Sequence, residues 1–159
     1  MSNNFERMIQ LVNSFFDSRN DPDQLDVDEE VIARLKTIHP ATMAEYNEGQ
    51  GPIVWILLIP TTLQVMQDFI AEKISEKELY ENTHPGDTYE AIYMCSASVL
   101  PEYRKKGLAK QTGLQAMQAI IKDHPIQALY YWPFSPEGQI LANSAAKHLG
   151  LPLFERKAH

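Results

Sequence analysis

Arg104, Lys105 and Lys106 stand in a row and are followed at once by Gly107, Leu108 and Ala109, between a stretch with the composition of a β-strand and one with helical spacing. A turn that runs straight into a helix leaves the first backbone N–H groups without intrahelical acceptors, at the positive end of the helix dipole. Such a corner is a ready site for phosphate oxygens. Gly107 and Ala109 keep the approach open, and the three cations add positive charge where a pyrophosphate or a further phosphate needs neutralising. The segment has neither the Gly-x-x-x-x-Gly-Lys-Ser/Thr of a nucleotide-hydrolysing P-loop nor the Gly-x-Gly-x-x-Gly of a dinucleotide fold, so neither class fits. The plain alternative is a solvated basic turn between two elements.

Few other residues invite a chemical role. Glu90 and Tyr93 lie on the strand before the basic turn. A carboxylate there can take a proton from an amine through a water, although Glu90 equally suits the solvated start of a strand and Tyr93 a core position. Cys95, in mid-strand among apolar neighbours, reads as an inert buried thiol. His39, His84, His124, His148 and His159 show no ligand spacing and a single cysteine cannot build a cysteine-rich zinc site, so no metal is expected. Trp55, Tyr130, Tyr131, Trp132 and Phe134 carry no interleaved cations and read as core and cleft wall, not as a stacking platform for nucleic acid.

The elements that must position the basic turn follow from periodicity. Phe5, Met8, Ile9, Val12, Phe15 and Phe16 recur at helical spacing and predict a first helix to about Asp17. Asp26 is the expected N-cap of a second helix with Val27, Val31, Leu35 and Ile38 on its apolar stripe, ending at His39-Pro40. Residues 41–46 read as a short turn before Gly49, Gly51 and Pro52. The unbroken apolar run 53–59 predicts a strand covered on both faces and central in a sheet. After Pro60, Thr61 or Thr62 can cap a helix carrying Leu63, Met66, Phe69 and Ile70, and Ser75 with Glu78 forms a capping box for another. Residues 88–99 predict a strand stopped at Pro101; Leu108, Leu114, Met117, Ile120 and Ile121 a helix; residues 127–132 a strand. Ser135-Pro136-Glu137 opens a last helix, Gly150 closes it, and residues 151–156 can add a short strand.

Bulk properties bound the rest. The chain has 159 residues, 44% of them hydrophobic, enough to bury one core without disulfide or metal support. The formal charge is -7, and ten acids against four bases in residues 1–50 put most of it at the front. Much of that acidity falls in the first turn of the second helix, where the dipole favours it. Nucleic acid and anionic membranes are not expected partners, since polyanions are held by clustered Lys and Arg. With one cysteine, no secretory pattern at the start and no apolar run long enough to span a bilayer, the expected location is the cytoplasm.

The basic turn, with Val99 and Pro101 before it, resembles the acetyl-CoA signature of the GNAT superfamily of N-acetyltransferases, Gln/Arg-x-x-Gly-x-Gly/Ala preceded by Val-x-Pro; here the matching residues are Arg104, Gly107 and Ala109. The resemblance extends over residues 89–156, roughly the last two-fifths of the chain. With one α/β domain expected over residues 1–159, a helical section, residues 1–50, ahead of a sheet-containing core, residues 51–159, the resemblance implies that the core's mixed sheet splays between two parallel strands. The resemblance places the pantetheine arm of acetyl-CoA in the splay, against backbone at Ser98, Val99 and Leu100. The pyrophosphate then falls over Arg104, Lys105, Lys106, Gly107, Leu108 and Ala109, with Lys110 and Gln139 as further cofactor contacts. An N–H near Val99 would polarise the thioester carbonyl, and the acetyl group would pass directly to a primary amine.

The chain departs from that pattern in its last helix, where Gln139 falls on the usual asparagine and Ala146 on the usual tyrosine that protonates the departing thiolate. Ser144 and Tyr131 are the substitutes, or solvent supplies the proton. Helices between the strand at residue 53 and the strand at residue 88 are also atypical, and a shortened sheet would leave the acceptor side open or closed by a homodimer partner. The negative charge favours a cationic acceptor. The competing expectation is a non-catalytic acyl-CoA-binding or interaction module that keeps the cofactor loop.

Overall fold

The apolar run at residue 53 forms the longest strand because every one of its side chains finds cover. In the computed structural model, which describes residues 4–19, 25, 29–49, 51–104, 106–133 and 136–157, this strand spans Pro52–Thr61 and only Trp55 is less than fully buried. In chain order the described elements are α1 (Asn4–Arg19), α2 (Glu29–Ile38), β1 (Met43–Asn47), β2 (Pro52–Thr61), α3 (Leu63–Ile70), α4 (Glu76–Glu81), β3 (Ala91–Val99), α5 (Leu108–Asp123), β4 (Ala128–Tyr131), α6 (Pro136–Leu149) and β5 (Leu153–Glu155). The five strands make one mixed sheet in the order β1-β2-β3-β4-β5. The first three run antiparallel, and β3, β4 and β5 run parallel.

Helices cover both faces. On one, Leu35 of α2, Phe69 of α3 and Leu79 of α4 pack over Ile59, Tyr93 and Tyr130. On the other, Met8 of α1, Met117 and Ile120 of α5 and Ala145 of α6 pack over Leu58, Ile92 and Leu129. The chain is therefore a single small α/β domain with layers α/β/α, and the crossovers β3-α5-β4 and β4-α6-β5 both return over the second face.

Local stops agree with residue chemistry. Thr62 accepts the N–H of Val65 at the start of α3. Ser75 and Glu78 exchange side-chain and backbone bonds in a complete capping box. Gly150 adopts φ 69°, and the N–H of Leu151 reaches back to the carbonyl of Ala146, closing α6 as a left-handed cap.

Three expectations need correcting. Residues 43–47, inside what reads as a helical section with a turn, form the edge strand β1; its register against β2 pairs Glu45 with Trp55, and Trp55 Nε1 donates to Glu45 Oε2 at 2.9 Å. Nothing in Met-Ala-Glu-Tyr-Asn announces a strand, because the pairing partner supplies the order. The division at residue 50 therefore does not separate helix from sheet. Secondly, β2 continues through Pro60 to Thr61. Thirdly, β3 begins at Ala91, three residues later than expected. The expected caps Asp26 and Ser135, with Val27, Phe134 and His159, lie outside the described residues.

Candidate functional site

Strand β3 changes partners along its length. From Ala91 to Met94 it is hydrogen-bonded to β2 on one side and to β4 on the other, Met94 facing Tyr131. Beyond Met94 the pairing with β4 ends, while β2 stays alongside as far as Val99. At the fork lies a bulge: Leu57 faces Ser96 and Leu58 faces Met94, so Cys95 is the extra residue. The bulge flips the side-chain alternation, and Val99 packs on the face of Ile92 and Met94 instead of the face of Tyr93 and Cys95.

The same shift sets the backbone. Leu100 N–H bonds the carbonyl of Ile53 at 3.0 Å, which marks the positions of β3 directed at β2. By the alternation of an antiparallel ladder, the N–H and C=O groups of Ala97 and Val99 point the other way, to the side on which β4 has ended at Tyr131. One of these is occupied: Arg104 Nε donates to the carbonyl of Val99 at 3.1 Å.

The chain then turns through a short 3-10 segment, Pro101–Tyr103, held by Tyr103 N–H to Leu100 O and Arg104 N–H to Pro101 O. Gly107 follows as the N-cap of α5 at φ 75°, a left-handed conformation costly for any residue with a β-carbon. It offers no side-chain cap, and a β-carbon built on it would meet no atom within 4 Å. The carbonyl of Gly107 accepts the N–H of Gln111, but among the described residues the N–H groups of Leu108, Ala109 and Lys110 have no acceptor. Of the cations, Arg104, Lys106 and Lys110 are exposed, Lys106 Nζ sits 5.5 Å over the Tyr103 ring, and Lys105 lies outside the described residues. Glu102, in the same turn, pairs with Arg7 of α1 at 2.6 Å, and this bond holds its carboxyl below the usual range. Ser98 and Val99 are half-buried and Leu100 is buried, so side chains anchor the strand end while its backbone borders the gap.

The remaining candidates are dispersed. Glu90 stands nine positions before Val99, about 30 Å along the strand at roughly 3.3 Å per residue, and its carboxylate approaches the N–H of Leu63 at 3.4 Å. From there it cannot serve a reacting group at Val99. Tyr93 is fully buried and its hydroxyl donates to Glu76. Ser144 is half-buried on α6. Ala146 is buried in the second-face core, packed where a tyrosine would not fit unchanged.

Gln139 does share a cleft. With Tyr131, Asn143, Leu153, Phe154 and Glu155 it lines a hollow of about 370 Å³ beside the fork. The Tyr131 hydroxyl donates to Glu155 at 3.0 Å; burial, then that carboxylate, pushes the phenol up to about 12. Asn143 is fixed on the carbonyl of Gln139 at 2.8 Å.

Sequence reasoning missed Glu76. It is the second residue of a capping box by spacing and looks like a solvated first-turn acid, yet it is fully buried. Its carboxylate accepts the Leu25 N–H at 2.7 Å, the Tyr93 hydroxyl and the Cys95 thiol at 3.9 Å. Arg156 was missed likewise: it is buried, donates to the carbonyl of Ile74 and stacks on Phe69 and Trp132 at 4.7 and 4.9 Å. Local spacing carries no mark of either burial.

Among the described residues no group of three or more His, Cys, Asp or Glu could hold a metal ion, and no helix is long and apolar enough to cross a membrane. The class defined by fold and corner is an α/β domain with a mixed sheet, in which β3 runs past the end of β4 and into a helix that has no side-chain cap among the described residues. The sequence matches no family model and no curated protein.

Proposed function

We propose that this chain is an acetyl-CoA-dependent N-acetyltransferase of GNAT type, acting on a primary amine. The observation that carries the reading is the join of two features at one corner: β3 loses its parallel neighbour after Met94, and it hands over to a helix whose first amides lack acceptors among the described residues. An extended arm with amide groups can bond the backbone of Ala97 and Val99 as a strand would. A diphosphate at its end then meets the N–H groups of Leu108, Ala109 and Lys110, with Arg104, Lys106 and Lys110 neutralising charge. A thioester cofactor is the ligand with both parts, and when bound it supplies an activated acetyl group that an amine takes directly.

The chain's own contribution is alignment and polarisation. The N–H of Val99, on the side of β3 away from β2, would be the donor that polarises a bound thioester carbonyl. With Glu90 at the far end of β3, water is the proton acceptor for the amine. Tyr131 lies level with Met94, five positions before Val99, and its hydroxyl is held by Glu155, so solvent would return the proton to the thiolate. The acceptor is cationic, in keeping with the net charge of -7.

Isothermal calorimetry with acetyl-CoA tests the reading, with Gly107→Glu as the control that places bulk and negative charge in the cradle. Binding by the wild type and loss in the variant are expected; equal binding by both removes the loop from the site. The burial of Ala146 and the dispersal of Glu90, Tyr93 and Ser144 favour a second reading, a CoA-binding module without turnover. Release of free thiol with a panel of amines separates the two, since the module binds but stays silent with every amine.

A further inference from the structure

We infer that Glu76 is a positioning residue for the strand-like half of this site: its buried carboxylate holds the bulge at Cys95 and so sets which backbone groups of β3 face the gap. The inference rests on the acetyl-CoA reading for its functional consequence, but the geometry stands by itself. Glu76 lies on α4, outside the corner, and is fully buried. It takes the hydroxyl of Tyr93, the last inward residue before the bulge, and the thiol of Cys95, the bulged residue, while Leu25 donates its N–H from the segment between α1 and α2. One acceptor therefore ties the bulged residue and the last inward residue before it to α4.

A bulge costs ladder bonds and persists where surrounding contacts favour it over regular pairing. Without it, β3 would continue in the register of Met94 against Leu58, and a slip of one position exchanges the residues directed at β2 with those directed at the gap. Ala97 and Val99 would then turn their N–H groups toward β2. A buried carboxylate is itself expensive unless bonded, so its retention beneath a bulge calls for a local reason. Phe69 touches both the Tyr93 ring, at 5.0 Å, and the guanidinium of Arg156, at 4.7 Å, so the phenol bonded to Glu76 and the buried guanidinium pack on one ring.

The test compares two ligands on three variants. Acetyl-CoA engages loop and gap, whereas phosphoadenosine diphosphate, the cofactor without its pantetheine arm, engages the loop alone. Glu76→Leu and Tyr93→Phe, the latter keeping the ring and hence the core, should weaken acetyl-CoA by roughly tenfold and leave phosphoadenosine diphosphate within about twofold. Glu76→Gln, which keeps an acceptor for Leu25 and a polar partner for Tyr93, should restore the wild-type ratio. Hydrogen exchange reads the bulge without any ligand: amides of Ala97 and Val99 should change protection in Tyr93→Phe while those of α5 do not. Equal weakening of both ligands, or no weakening of either, overturns the positioning role, as does unchanged exchange at Ala97 and Val99. A wild-type chain that binds neither ligand sinks the acetyl-CoA reading instead, and the exchange result then judges the bulge assignment alone.

Discussion

The two halves of β3 obey opposite rules. Residues 91–94 pair on both sides, are almost wholly buried and build both cores; residues 96–99 pair on one side and are partly exposed. Cys95 divides them. One strand thus joins a fully packed half to a partly exposed half, with an irregularity between them.

The largest effect expected from breaking that division is in the closed half. Phe69, fully buried against Tyr93, Tyr130 and Trp132, should lose about 3–5 kcal/mol of stability on Phe69→Ala by chemical denaturation, with acetyl-CoA affinity of the folded fraction unchanged. In the open half, Gly107→Glu should behave the other way. At a hundredfold excess over Kd the wild type gains about 2.7 kcal/mol from ligand, and the variant should gain none, while its own stability falls by about 1–2 kcal/mol for the left-handed backbone at that position. A variant that keeps the ligand gain breaks the division of duties.

Smaller effects sharpen the contrast by pH. Burial raises the phenols of Tyr89, Tyr130 and Tyr131, so above a pH of about 10 the folded chain holds protons that the unfolded chain releases. Stability should therefore fall as pH rises from there, and tyrosinate absorbance should appear with unfolding; a full tyrosine titration in a folded chain contradicts it. The sign reverses at the corner. Glu102 is held low by Arg7, so its contribution is present at neutral pH and lost on acidification, and exposure keeps it small. In Arg7→Ala the Glu102 carboxyl should return to the ordinary range by NMR titration, with the melting temperature unmoved.

Most elements were legible because their signals are local. The β2 run, the caps at Thr62 and Ser75, the stop at Gly150 and the basic corner before α5 each declare themselves within a few residues. Strand β1 was not legible, since five residues of mixed character become a strand only when β2 offers a ladder. Of the site, the corner at residues 104–110 could be read from spacing, but Glu90 looked close to it only because a sequence does not show which end of a strand a residue occupies relative to a fork.

By itself the chain's order of residues determined where most helices and strands begin and end, and that a basic, glycine-containing turn leads into α5, because these depend on neighbours within a turn or two. Only the tertiary structure decided how far β4 accompanies β3, that Cys95 is an extra residue and that Glu76 is buried beside it. Those are outcomes of pairing and packing between segments far apart in the chain, and no single segment carries them.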